Sequence, residues 1–99
     1  MSEPINPNDL LRGRPVAVIG AGLVGAGWAI VFAQSGLNVR VYDADPYATE
    51  RALALIQEQL KELSSFGLID DPKGIAARLM PTYQLADAVN GAAYVQESI

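Results

Sequence analysis

Three glycines and one aspartate are the residues of this sequence whose types and spacing best suit chemistry. Gly20, Gly22 and Gly25 stand in the run GAGLVG, with Ala21, Leu23 and Val24 between them, and Asp43 ends a second apolar run further on. The spacing G-x-G-x-x-G builds a phosphate-binding turn when a strand precedes it and a helix follows. Gly20 permits the tight turn. Gly22 has no Cβ, so backbone can approach a pyrophosphate. Gly25 lets the helix pack closely on the strand. Free N–H groups and the positive end of the helix dipole then meet the phosphates. Asp43 can accept two hydrogen bonds from a ribose diol, and positions 44–48 contain no Arg or Lys. A 2′-phosphate would be repelled there, which favours NAD over NADP as the cofactor. The alternatives are a glycine turn that holds no ligand and a solvated acid at a strand end.

The missing residue types bound the chemistry as firmly. The chain has no histidine. Histidine is the commonest general base and a frequent metal ligand, so no Ser–His or His–Glu pair can be assembled within 99 residues. No catalytic residue and no metal ligand set is therefore assigned in this chain. The absence of cysteine excludes disulfide and thiolate chemistry and suits a reducing, cytoplasmic setting. With 7 basic and 11 acidic residues there is no basic stripe, so nucleic acid is not expected as a partner. The longest apolar stretch, Leu23 to Ala33, is too short to span a bilayer, so no membrane partner is expected. The N-terminal MSEPINPNDLLRGR lacks the apolar core of a signal peptide and reads as a loose arm over 1–13.

The elements that must position these residues follow from periodicity. RPVAVIG is a β-branched run stopped by glycine, a strand buried on both faces. Leu23 to Ser35 reads as a helix that is apolar nearly all round, hence covered on several sides, with Trp28 and Phe32 in the core. Gly36 would end it in a left-handed conformation. LNVRVYD alternates as a second strand. Asp45-Pro46 starts a helix as N-cap and first helical residue. Its stripe is Leu53, Ile56, Leu60 and Leu63, and Gly67 closes it. A short helix beginning at Asp71 or Pro72 follows. LMPTYQ is a third strand, pushed to a sheet edge by Pro81. LADAVNG is a short helix and AAYVQESI a last strand. The order β-α-β-α-α-β-α-β argues for an α/β fold with a parallel sheet, partial and Rossmann-type, in strand order 3-2-1-4, carrying a helical insertion after strand 2.

The stretch VAVIGAGLVGAGWAIVFAQSGLNVRVYDAD, with LADAVNGAAYVQES beyond the insertion, resembles the N-terminal part of the 3-hydroxyacyl-CoA dehydrogenase family. It is most similar to the branch of lambda-crystallin, L-gulonate 3-dehydrogenase and carnitine dehydrogenase. GAGWA and YVQES carry the more specific part of the likeness. The resemblance implies an NAD-binding domain over 14–99, incomplete at its C-terminus, and a dimer. It also implies an oxidoreductase that passes hydride from a 3-hydroxyl to NAD, as in fatty acid metabolism. It places Gly20, Gly22 and Gly25 on the phosphate turn and Leu23 and Val24 on its helix start. Asp43 falls on the ribose acid, and Ser98 and Ile99 on the strand end beneath the cofactor. The family's histidine base, its glutamate partner and its substrate-contacting serine and asparagine fall beyond position 99. The chain is accordingly expected to be an inactive fragment of one roughly two to three times longer.

The substrate is less legible. The same resemblance would place contacts to a CoA tail in the insertion, and CoA phosphates call for clustered cations. Arg51, Lys61, Lys73 and Arg78 are interspersed there with Glu50, Glu58, Glu62, Asp70 and Asp71. This leans slightly towards a free hydroxy acid; a solvated helix face explains the same charges. A non-catalytic nucleotide-binding or crystallin-like structural module is the second functional reading, and a flavin-binding domain the third. The last strand would be an unpaired apolar edge, from which a homo-oligomer is expected.

Overall fold

The computed structural model describes residues 11–98. Ile99 and most of the expected N-terminal arm lie outside the described residues. Four strands form one parallel sheet: β1 (Val16–Ile19), β2 (Val39–Tyr42), β3 (Leu79–Thr82) and β4 (Tyr94–Glu97). Their order is β3-β2-β1-β4, as expected for this alternation. Register is set by Val16 opposite Val39 and Tyr94, and by Val39 opposite Leu79. Four helices connect the strands: α1 (Leu23–Gln34), α2 (Pro46–Ser65), α3 (Pro72–Ala77) and α4 (Leu85–Val89). α2 and α3 are the insertion between the second and third strands.

The central strand β1 is buried along its whole length. Its alternate residues face opposite layers. Val16 and Val18 join Val39 and Val41 in the larger core, against Ala26, Ala29 and Ala33 of α1 and Ala52, Ile56 and Leu60 of α2. Ala17 and Ile19 face the other way, onto Ala88 of α4. Leu11, within the expected arm, packs against the larger core.

Helix α1 corrects one expectation. Its buried residues are Gly25, Ala26, Ala29 and Ala33 alone. These small residues bring the helix axis close to the sheet, so Ile30 and Phe32 pack only partly against the core and the other bulky side chains lie on the outer face. Leu23, Val24 and Val31 are exposed, and Trp28 is 40% exposed rather than part of the core. Phe32 is half-buried, with Trp28 stacked on it at 5.6 Å and Tyr94 edge-on at 6.1 Å. Among the described residues nothing covers this outer face on several sides.

The helix ends follow their local chemistry. Asp45 accepts a hydrogen bond from the Tyr47 N–H, and Pro46 opens α2. Asp71 does the same for α3 through the Gly74 N–H. Gly36 and Gly67 take the left-handed backbone that closes α1 and α2. Arginines satisfy carbonyls at the opposite ends. Arg78 donates to the Ala33 carbonyl at 2.8 Å, in the last turn of α1, and Arg40 donates to the carbonyls of Asp87 and Asn90 at the end of α4. Arg14 donates to the carbonyls of Gly91 and Ala92, tying the start of β1 to the turn before β4.

One buried group has no such partner. Thr49 of α2 is fully buried and its hydroxyl makes no hydrogen bond among the described residues. An unpaired buried hydroxyl costs about 1–3 kcal/mol. Thr49→Val keeps the shape and removes the hydroxyl. It is expected to raise stability by about 1 kcal/mol, a rise in Tm of roughly 4–8 °C for a domain of this size. Thermal unfolding checks this; an unchanged or lower Tm would show that the hydroxyl is satisfied in solution.

Candidate cofactor site

The C-terminal ends of β1, β2 and β4 meet the N-terminus of α1 at one edge of the sheet. A groove there is lined by Ile19, Gly20, Gly22, Tyr42, Asp43, Ala44 and Ser98. It joins the glycine turn to the residue after β2 and to the strand end beside β1. Gly20, Gly22, Asp43 and Ser98 are thus brought together from positions scattered through the sequence.

Gly20 leaves β1 with φ +102°, a conformation that favours glycine. Its N–H donates to the Tyr42 carbonyl at 2.8 Å, so the turn starts anchored to β2. Gly25 packs where no side chain fits: a Cβ there would collide with the Gly20 carbonyl oxygen. This close approach between helix and turn is the one assigned to the third glycine of the motif. Gly22 differs. A Cβ on Gly22 would meet nothing within 4 Å, and its φ of −79° suits any residue. Folding of the described chain therefore does not require glycine at this position; an open approach to the backbone does.

Gly22 is also the N-cap of α1, and no side chain caps it. No acidic residue stands in the first turn. The early N–H groups of a helix lack intrahelical acceptors, and together with the dipole they attract an anion. Leu23 and Val24 lie at this helix start, 78% and 65% exposed. Ala21 is different, because its side chain is buried and its N–H is already engaged.

That engagement is with Asp43. Asp43 Oδ2 accepts from the Ala21 N–H at 2.8 Å, and Oδ1 accepts from the Asp45 N–H at 2.9 Å. The Ala21 donor, then that of Asp45, holds the Asp43 carboxyl below the usual carboxylate range; burial opposes this and Arg51 adds to it. The group is ionised at neutral pH. A carboxylate has about four lone-pair sites. With two taken by backbone, Asp43 keeps acceptor capacity for a ribose diol.

Ser98 donates its N–H to the Ile19 carbonyl at 2.8 Å. Its hydroxyl is buried and unpaired among the described residues. Ile99 lies outside them. Tyr42, Ile19 and Ala44 complete the groove, and their apolar sequence context gives no sign of that role. Nothing in the sequence marks Arg51 as a neighbour of the site. It borders a second hollow with Ala21, Gly22, Leu23, Asp43, Ala48, Ala52 and Leu55, and pairs with Asp45 at 3.5 Å.

The uncapped helix end, the open space over Gly22, the ionised Asp43 and the unpaired Ser98 hydroxyl together fit a dinucleotide. The groove contains no imidazole, and no group of three or more metal-ligating side chains occurs among the described residues. Elsewhere, the fold brings Lys61 of α2 and Lys73 of α3 to one hollow beside Leu60 and Ala76, a juxtaposition hidden by their separation in sequence. No helix among the described residues is long and apolar enough to cross a membrane.

Comparison with known proteins agrees with this geometry. The family model described as "3-hydroxyacyl-CoA dehydrogenase, NAD binding domain" matches residues 15–99. A lambda-crystallin homolog of Rattus norvegicus is 34% identical over 87 residues, which is 85% of this chain and 27% of that protein. An L-carnitine dehydrogenase of Streptomyces griseus is 37% identical over 97 residues, 98% of this chain and 28% of that protein. The crystal structure of 3-hydroxybutyryl-CoA dehydrogenase from Escherichia coli superposes with a TM-score of 0.79 at 32% identity, covering 85% of this chain and 18% of that one. The chain thus spans about a quarter of the length of the curated relatives it matches.

Proposed function

The chain belongs to the 3-hydroxyacyl-CoA dehydrogenase family, whose NAD-binding domain it carries, and from that premise we propose that it holds NAD in the groove at the glycine turn for oxidation of a 3-hydroxyl. The substrate class is a 3-hydroxyacyl-CoA or a free 3-hydroxy acid. The observation that carries this reading is the free space over Gly22 at an uncapped helix N-terminus, beside an ionised Asp43. NAD, when bound, supplies the hydride acceptor. Gly22, Leu23, Val24 and Gly25 would hold the pyrophosphate, Asp43 would take the adenosine ribose, and Ser98 would line the groove beside it; Ile99, assigned with Ser98 from the resemblance, lies outside the described residues.

No residue of the groove is placed to take a proton from a substrate hydroxyl: Asp43 is held as a hydrogen-bond acceptor by two backbone donors, and the chain has no histidine. The 99 residues therefore bind cofactor without turning substrate over. Two of the insertion's four cations are engaged, Arg78 on the Ala33 carbonyl and Arg51 on Asp45. The other two, Lys61 and Lys73, share the α2–α3 hollow, where both are available to a phosphate. A cytoplasmic setting fits the lack of cysteine.

Titration calorimetry tests the cofactor assignment. NADH is expected to bind, and NADPH about tenfold or more weakly, because Asp43 opposes a 2′-phosphate. Equal affinities, or no binding of NADH at millimolar concentration by folded protein, would contradict it.

Self-association belongs to the same proposal. Among the described residues β4 pairs only with β1, and its Tyr94 and Val95 are exposed, whereas the opposite edge carries Pro81. An unprotected edge templates pairing. Light scattering at micromolar concentration is expected to give a dimer or larger; a monomer would count against it.

A further inference from the structure

We propose that Asp43 is a positioning residue for the phosphate turn as well as a ribose acceptor: its carboxylate clasps the Ala21 and Asp45 amides and holds the glycine turn in its binding shape. The proposal rests on the groove being a dinucleotide site. Glycines lose more conformational entropy on ordering than any other residue, so a turn with three of them needs fixed points. The segment from Gly20 to Gly22 has two to the neighbouring strand, and both lie at the end of β2. One is the Gly20 N–H on the Tyr42 carbonyl, and the other is the Ala21 N–H on Asp43 Oδ2. No side chain caps the helix start that follows. The only side chain bonded to the turn is therefore Asp43, among the described residues.

Asp43 is itself fixed. Its other oxygen accepts from the Asp45 N–H two residues on, which sets the orientation of the carboxylate. Asp45 in turn caps α2 through the Tyr47 N–H. The clasp thus links the glycine turn, the end of β2 and the start of α2. Hydrogen bonds to an ionised acceptor are the stronger kind. Two donors and the nearby Arg51 also offset the negative charge of Asp43, which would otherwise oppose a pyrophosphate close by. Because Ala21 spends its N–H on the clasp, the donors left at the free end of α1 are those that follow it.

Asp43→Asn leaves one acceptor oxygen for two backbone donors and turns an amide N–H2 towards one of them. Across-hydrogen-bond NMR coupling between the Ala21 amide nitrogen and the Asp43 carboxylate carbon is expected in the wild-type chain; its absence overturns the clasp without any variant. In Asp43→Asn, amide exchange at Ala21 is expected to quicken about tenfold, with Val18 and Val41 in the sheet unchanged. Unchanged Ala21 exchange overturns the proposal. Titrations with ADP and 2′,3′-dideoxy-ADP separate the two roles, because the second nucleotide has no diol. Dideoxy-ADP is expected to bind the variant about tenfold more weakly than the wild type. Unchanged affinity for dideoxy-ADP, with ADP weakened, assigns Asp43 to the ribose alone and overturns the positioning role. A wild-type chain that binds neither nucleotide removes the cofactor reading and the phosphate role with it, while the coupling and exchange measurements report the clasp separately.

Discussion

Gly22→Ala is expected to fold like the wild type and to lose NADH affinity by about 10- to 100-fold. The two halves of this expectation have separate physical causes. A methyl at Gly22 meets nothing within 4 Å, and the backbone there is extended, so the folded chain accommodates it without strain. On the proposed reading, the same methyl would occupy open space of the groove that the pyrophosphate needs to approach the helix N-terminus. Each charge-assisted hydrogen bond it displaces is worth about 1.5–3 kcal/mol. Thermal unfolding and calorimetry on one preparation check both halves. Unchanged NADH affinity would show that the phosphates bind elsewhere. A large drop in Tm would show that the turn needs glycine for folding.

Gly25→Ala is expected to do the opposite, reducing stability first. Its Cβ would collide with the Gly20 carbonyl oxygen and lie 2.9 Å from the carbonyl carbon. Both are backbone atoms of the turn, so no side-chain rotation relieves the clash. Helix α1 would have to move away from β1, opening the contact made by Ala26, Ala29 and Ala33. Overpacking of this kind costs about 3 kcal/mol, a large part of the roughly 5–15 kcal/mol that stabilises a domain. The expected fall in Tm is about 10–20 °C. A Tm within a few degrees of the wild type would contradict the packing role. The two substitutions add the same methyl three residues apart, and their opposite order of effects separates the ligand's need for glycine from the fold's.

The contrast also shows how much could be read from residues alone. The strand order, the helical insertion and the glycine motif followed from periodicity and spacing, because a buried parallel strand and an amphipathic helix leave strong local patterns. Asp45 as N-cap and Pro81 at an edge were legible for the same reason: their chemistry is local. The outer face of α1 was not. An all-apolar helix reads as covered, but the small residues Gly25, Ala26, Ala29 and Ala33 are the ones that face the sheet, and Trp28 is left outside. Size, not hydrophobicity, decided which side packs. The clasp on Asp43 was hidden because its donors are backbone N–H groups, which every residue but proline carries. Lys61 and Lys73 meet only because α2 and α3 fold back on each other.

The most direct test of the cofactor site is an NMR titration of the wild-type chain with NADH, observing each backbone amide. Expected are shifts concentrated at Gly20 to Gly25, Asp43, Ala44 and Ser98, with the α2–α3 hollow at Lys61 and Lys73 unaffected. Shifts confined to that hollow, or none at millimolar NADH, would contradict a cofactor site at the glycine turn.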